Sequence, residues 1–265
     1  MSELDDIMRS PVSRRAFLTR MTAAGLGVAA VSLLAAGCGG GGGSVPPTVA
    51  MADPTNFPGI QGASENEVVL NYALTLETLE ADLYRQALNL AAGLPITAPL
   101  QAQSAYPASP VIGYGGLTAN NAAVGYLYLT QYAAVEAAHR DFLRTAISSL
   151  GYTPVTPNPN GYTAPFGSDL HSILTLIRLV EETGVRAYLG AAPFLTDLGL
   201  IQTASTIYTT EARHSAAMNY VLGLDTGPQP MPGDQKVTPN YPAPNTFEYY
   251  LTPTQVLANV KPFFK

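Results

Sequence analysis

The strongest constraint on this chain is a pattern written twice. Glu136-Ala137-Ala138-His139 is echoed by Glu211-Ala212-Arg213-His214, and the two stretches hold two of the three histidines in the sequence. On a helix, residues three apart sit side by side one turn apart, so each Glu and its His aim at one point. A carboxylate and an imidazole converging in this way make half of a metal site. Two more carboxylates, Glu77 and Glu181, are each followed two helical turns later on the same face by a tyrosine, Tyr84 and Tyr188. The order Glu-x6-Tyr then Glu-x-x-His therefore runs through the chain once and then again.

Apolar residues recur at steps of three and four around every one of these positions, which predicts that all four lie on helices. Leu70, Ala73, Ala81 and Leu88 share a stripe with Glu77, and Leu129, Tyr132, Leu143 and Ile147 share one with Glu136 and His139. Leu174, Ile177 and Val185 do the same for Glu181, as Ala204, Ile207, Met218 and Val221 do for Glu211 and His214. The first helix should begin at the capping box Ser64-x-x-Glu67 and end at Gly93. The second should run from Asn120 to Leu150 with Gly151 as its stop, the third from Asp169 to Gly190 with Pro193 beyond it, and the fourth from Leu195 or Asp197 to Leu222. Residues 94–118, with four prolines, form a long connection. Residues 151–167 form an irregular crossover that at about 3.3 Å per residue can span over ~50 Å, more than the roughly 38 Å length of a 25-residue helix. The third helix can therefore run parallel to the second. After Gly223 the prolines keep the tail mostly extended, with one short helix expected behind Thr252-Pro253.

Composition agrees with one helical domain carrying appendages: 47% hydrophobic residues can fill its core, and 12% are charged. At the start, Ser13-Arg14-Arg15-Ala16-Phe17-Leu18 precedes an uncharged run from Met21 to Gly37, then Cys38 and five glycines. Paired Arg14 and Arg15 ahead of a soft Ala/Gly-rich stretch resemble a twin-arginine export signal, and 17 residues are marginal for a membrane span. Leu34-Ala35-Ala36-Gly37-Cys38 resembles a lipobox, which implies lipidation at Cys38, although Ala35 stands where Leu is usual. Expected boundaries are a signal peptide over 1–37, a Gly/Pro tether over 38–63, the bundle over 64–223 and a Pro-rich extension over 224–265. The protein would then be extracytoplasmic, in the bacterial periplasm or on the cell surface, and membrane-bound through its lipid. Without residues 1–37 the chain keeps 9 basic and 16 acidic groups, a poor balance for binding nucleic acid. A lone cysteine rules out an intrachain disulfide and a zinc–thiolate site.

A glutamate from each of two helices plus Glu-x-x-His from the other two resembles the ferritin-like dimetal carboxylate proteins. Leu70-Asn71-Tyr72-Ala73-Leu74 with Leu76-Glu77-Thr78-Leu79-Glu80-Ala81, and Gly184-Val185-Arg186-Ala187-Tyr188-Leu189-Gly190-Ala191-Ala192, look like the group that includes plant desiccation-related proteins and exported bacterial relatives. The resemblance implies an all-α, up-down-down-up four-helix bundle with a long second-to-third crossover. It implies that Glu136 and Glu211 bridge two metals, that Glu77, Glu181, His139 and His214 are terminal ligands, and that Tyr84 and Tyr188 orient carboxylates on the opposite helix. The long 94–118 connection, the proline-rich tail and the tether speak against a 24-subunit storage cage.

Four carboxylates facing one core carry a charge near −4, which two divalent ions would cancel. An oxygen-rich set with one imidazole per ion suits iron or manganese, and ligand type does not separate the two. Two function classes remain open. One is a redox centre that works on O2 or peroxide, in ferroxidase, peroxidase or catalase-like chemistry. The other is a non-catalytic envelope protein of stress or desiccation, whose metals or carboxylates serve only structure; a bundle without metals would neutralise its carboxylates by protonation or with Arg140 and Arg213. Around the centre, Glu182 reads as a surface ion pair with Arg178 and Arg186. Glu80, one turn from Glu77, is either an extra ligand or a bystander, and His171 reads as a surface or capping residue.

Overall fold

A computed structural model describes residues 56–236 and 247–265. The expected signal segment, Arg14, Arg15, Cys38 and most of the tether lie outside the described residues. Four long helices make the body: α1 Glu65–Ala91, α2 Ala119–Ser149, α3 Leu170–Ala191 and α4 Leu198–Val221. A short α5, Pro253–Val260, follows the expected Thr252-Pro253 start and is held by a capping box between Thr252 and Gln255. Side chains of Ser64, Thr118, Asp169 and Asp197 cap α1 to α4 by accepting the backbone N–H three residues on. Of the two starts expected for α4, Asp197 is thus the cap. Gly151, at φ +77°, ends α2 as the sequence predicts, and Gly223 does the same for α4 at φ +73°.

The capping box expected at α1 is built differently. Ser64 does accept from Glu67 N at 3.2 Å, but the Glu67 carboxylate reaches past Ser64 to accept from Ala63 N at 2.7 Å and from Thr153 N at 3.0 Å. The start of α1 is thereby tied to the crossover. Asn71 continues the tie, donating to Thr153 O and accepting from Val155 N. Gln86, four turns further along α1, donates to Tyr162 O. The crossover therefore runs the length of α1 before α3 begins, and α1 is buried on nearly every face.

Directions follow from what meets at each end. The starts of α1 and α4 and the ends of α2 and α3 line one apolar cavity. At the other end Asn121, early in α2, donates to Val221 O at the end of α4. The order is up-down-down-up. Among the described residues there is no strand, only three isolated bridges. No described helix is long and apolar enough to cross a membrane.

The tail is built onto α3. Gly190 lets it approach so closely that a Cβ there would stand 1.9 Å from Leu251 O. Arg186 makes the second attachment. It is 0% exposed and donates to Glu182 Oε2 at 2.5 Å, to both Asp234 oxygens at 2.5 and 2.9 Å, and to Gln229 O at 2.5 Å. Residues 56–63 also touch the bundle, with Phe57 wholly buried edge-on against Tyr72 and Phe194.

Glu182 corrects the sequence reading. Its partner is Arg186, as the i+4 spacing predicts, but the pair lies inside the protein, with Glu182 2% exposed. The tail covers Arg186, and from α4 Ser215 and Asn219 donate to Glu182 Oε1 at 2.7 and 3.2 Å. Periodicity within α3 could not reveal a cover supplied more than forty residues later. Glu182→Ala should leave Arg186 buried with half its counter-charge, a loss of about 3 kcal/mol in urea unfolding rather than the few tenths of a surface pair.

Candidate metal centre

Each long helix delivers its functional residues to the mid-height of the bundle. Buried apolar residues sit one turn to either side: Ala73 and Ala81 around Glu77, Ala133 and Leu143 around Glu136 and His139, Ile177 and Val185 around Glu181, Ile207 and Met218 around Glu211 and His214. All six side chains singled out from the spacing converge. They form two groups, each with ligand atoms within 4.8 Å of one another: Glu77, Glu136, His139 and Glu211, and Glu136, Glu181, Glu211 and His214. Glu136 and Glu211 belong to both. His139 Nδ1 faces Glu136 at 3.0 Å, Glu211 at 3.2 Å and Glu77 at 3.5 Å, while His214 Nδ1 faces Glu136 at 2.8 Å and Glu181 at 3.3 Å. Two quartets sharing two carboxylates are compatible with a dinuclear site. The residues from 66 to 224 match the model of the ferritin-like domain family. The chain belongs to that family. No curated protein matches it.

Within this ferritin-like bundle the tyrosines cross over. Tyr188 on α3 donates to Glu77 Oε1 of α1 at 2.6 Å, and Tyr84 on α1 donates to Glu181 of α3. Each therefore holds the carboxylate of the opposite helix. Glu136 Oε2 meets His139 Nδ1 at 3.0 Å, and most of the other oxygens find no hydrogen bond. Glu77 Oε2, Glu136 Oε1, Glu181 Oε2 and both Glu211 oxygens are buried without a hydrogen-bond partner, as is His214 Nδ1. His214 Nδ1 and Glu136 Oε1 are close enough for a bond, at 2.8 Å, yet are not oriented for one. Orphaned polar atoms at this density are costly unless something else satisfies them. Donors about 2.1 Å from an ion stand roughly 3.0 Å apart at adjacent corners of an octahedron, close to the separations seen here. The side chains thus fit a pair of divalent cations.

Electrostatics carries the same sense. Burial, followed by neighbouring carboxylates, pushes Glu181 and Glu211 well above the ordinary carboxylate range. Burial also raises Glu77, and the nearby His139 ring works against it. Burial would raise Glu136 too, but His139 and His214 together outweigh it and hold its pKa below the usual value. For His139, burial disfavours the charged ring, yet the bond to Glu136 and the nearby carboxylates of Glu211 and Glu77 prevail and its pKa rises to about 12. A metal-free centre accordingly holds protons that cations must displace. Arginine does not neutralise it: Arg140 pairs with Asp141 at 2.7 Å, and Arg213 is exposed.

Two neighbours of the centre were not singled out by spacing. Tyr132, one turn before Glu136, stacks on the His214 ring with centroids 3.7 Å apart, and Tyr128 stacks in turn on Tyr132 at 5.3 Å. Its place in the apolar stripe marks Tyr132 as core without showing which ring it meets. Gly184 is the other: a Cβ there would lie 3.2 Å from Glu211 Oε2 and 3.4 Å from Glu80 Oε2. Glu80, left open by the sequence, is therefore buried beside the centre although it belongs to neither quartet. His171 is exposed on the first turn of α3.

The pH dependence of the metal-free protein has a definite sign. Glu77, Glu181 and Glu211 titrate above 4.5 when folded, so they bind more protons folded than unfolded. Their stabilisation is fully present below that value and is lost as pH rises. His139 adds stability that is complete below 6.5 and is lost on the way to about 12. Glu136, with its lowered pKa, contributes in the opposite sense, one group against these four and Glu80, which burial also raises. The Tm of the metal-free protein should fall between about pH 5 and pH 8, whereas that of protein loaded with Fe(II) or Mn(II) should not, because the ions replace the protons.

Proposed function

We propose that this ferritin-like chain holds two iron or manganese ions and uses them in redox chemistry with O2 or peroxide, as part of protection against oxidative stress outside the cytoplasm. The observation that carries the reading is the sharing of Glu136 and Glu211 between two quartets, which sets two cation positions side by side. Two adjacent ions, when bound, supply the two electrons that reduction of an O–O bond requires. Glu136 and Glu211 would span the pair, Glu77 with His139 would close one end, and Glu181 with His214 would close the other. Tyr188 and Tyr84 keep their hydroxyl protons on Glu77 and Glu181, fixing which oxygen of each carboxylate turns inward. The apolar residues one turn above and below exclude bulk water. His139 Nδ1 gives up its proton when the centre fills.

Elemental analysis after anaerobic loading should find two ions per chain, and Glu136→Ala and His214→Ala should each abolish that occupancy. Fewer than about 0.2 per chain, the level of adventitious binding, would sink the dinuclear reading. Oxidant consumption on adding O2 or H2O2 should follow occupancy. Rates no faster than those of Glu136→Ala would move the protein to the structural class. Manganese would favour peroxide dismutation and iron ferroxidation.

Export by the twin-arginine route with lipid anchoring at Cys38 belongs to the same proposal, supported by Arg14-Arg15 and by Leu34-Ala35-Ala36-Gly37-Cys38. That route carries folded proteins, so the cytoplasm would choose the metal. Replacing both arginines with lysine should trap the protein inside the cell, and Cys38→Ala should release it from the membrane fraction. Retention of the Cys38→Ala protein in membranes would contradict the anchor.

A further inference from the structure

The two halves of the bundle repeat closely enough that Glu80, three residues after Glu77, corresponds to Gly184, three residues after Glu181. A carboxylate and a missing side chain therefore face each other at equivalent places across the centre. The gap between them leads outward. A cavity of about 240 Å³ lies between α1, α3 and the tail, with Glu80 and Gly184 at its inner end and Leu176, Leu179 and Val180 along one wall. Its outer wall is made by Met231, Asn259, Val260 and Phe263, all beyond the residues that match the family. Glu80 itself is 4% exposed, and its Oε1 has no hydrogen-bond partner. Nothing in the packing uses that oxygen.

We propose that this cavity is the route by which a small neutral oxidant reaches the centre, with Gly184 as the inner opening and Glu80 as the side chain that lines and narrows it. The walls choose the traveller. Among the cavity-lining residues Glu80 is the one ionisable group and no cationic side chain is present, so an ion of either sign would have to shed its water among leucine, valine and phenylalanine side chains without a counter-charge of lysine or arginine to receive an anion. Molecules of the size and neutrality of O2 or H2O2 meet neither obstacle. A cavity of this volume accommodates several molecules of that size, given about 30 Å³ for a water in the liquid. The apolar cavity at the end of the bundle, which Tyr188 and Ala73 help to line, offers a competing approach and serves as the control.

The inference rests on the dinuclear reading. Its test is the association rate of nitric oxide, a neutral stand-in for O2, with full-length protein loaded anaerobically with Fe(II), followed by stopped-flow absorbance beside iron content. A methyl group at position 184 would fill the inner opening, and alanine is the better helix former, so Gly184→Ala should fold. Leu176→Trp, which blocks the cavity away from the carboxylates, should keep two irons per chain and bind nitric oxide about tenfold more slowly or worse, and Gly184→Ala, whose methyl would meet Glu211 Oε2, should slow binding likewise per iron bound. Glu80→Ala should bind it faster, and Ala73→Leu, which fills the end cavity, should leave the rate as it was. An unchanged rate in Leu176→Trp at full iron content would overturn the route, as would slowing confined to Ala73→Leu. A wild-type chain that takes up no iron would instead overturn the dinuclear reading, and the route with it.

Discussion

Everything in this structure answers to the charge buried at its centre. Five carboxylates, of Glu77, Glu80, Glu136, Glu181 and Glu211, lie within one helical core and are all but inaccessible to water. Isolated ionised carboxylates would each cost several kcal/mol there. Two imidazoles, two tyrosine hydroxyls and a set of retained protons relieve part of that cost without cations. Divalent ions would relieve it more completely, and the unpartnered oxygens of Glu77, Glu181 and Glu211 show that the side chains do not fully satisfy one another.

A centre of this kind needs a rigid surround, and the chain builds it from pieces usually dismissed as connections. The crossover is stitched to α1 through Glu67, Asn71 and Gln86, so the helix that carries Glu77 has protein on all sides. The tail is fastened to α3 by Arg186 and by the close approach at Gly190. Both pieces bear on the helices that hold the cross-bonded pairs Tyr84–Glu181 and Tyr188–Glu77.

Much of this was legible in the sequence because helical periodicity is local. Glu-x-x-His at 136–139 and at 211–214, and the apolar residues one turn away, fix a facing direction without reference to any other part of the chain. The Ser64 cap, the Gly151 stop and the short helix behind Thr252-Pro253 were legible for the same reason, whereas Thr118, the cap of α2, was not. What was hidden depended on contacts between distant segments. Glu182 looked exposed because the residues that cover it, Ser215, Asn219 and the tail, follow much later. Glu67 looked like half of a local box, but one of its oxygens belongs to Thr153. Tyr132 could be placed in the core while its stacking on His214 could not, since a stripe specifies a face and not a partner.

The duplicated architecture has one further consequence. A strict two-fold relation between the halves would make the two ends of the centre interchangeable, and the ligands obey it: Glu77 and Glu181, His139 and His214, Tyr84 and Tyr188 exchange places. Their neighbours do not. His214 lies under the ring of Tyr132, whereas the corresponding position one turn before Glu211 is Ile207. After burial itself, Glu80 is raised most by the neighbouring carboxylates of Glu211 and Glu181, and its counterpart in the other half is a glycine. Both departures fall on the His214 side, so a site assembled from two copies of one motif has a handedness, with one end aromatic and acid-flanked and the other plain.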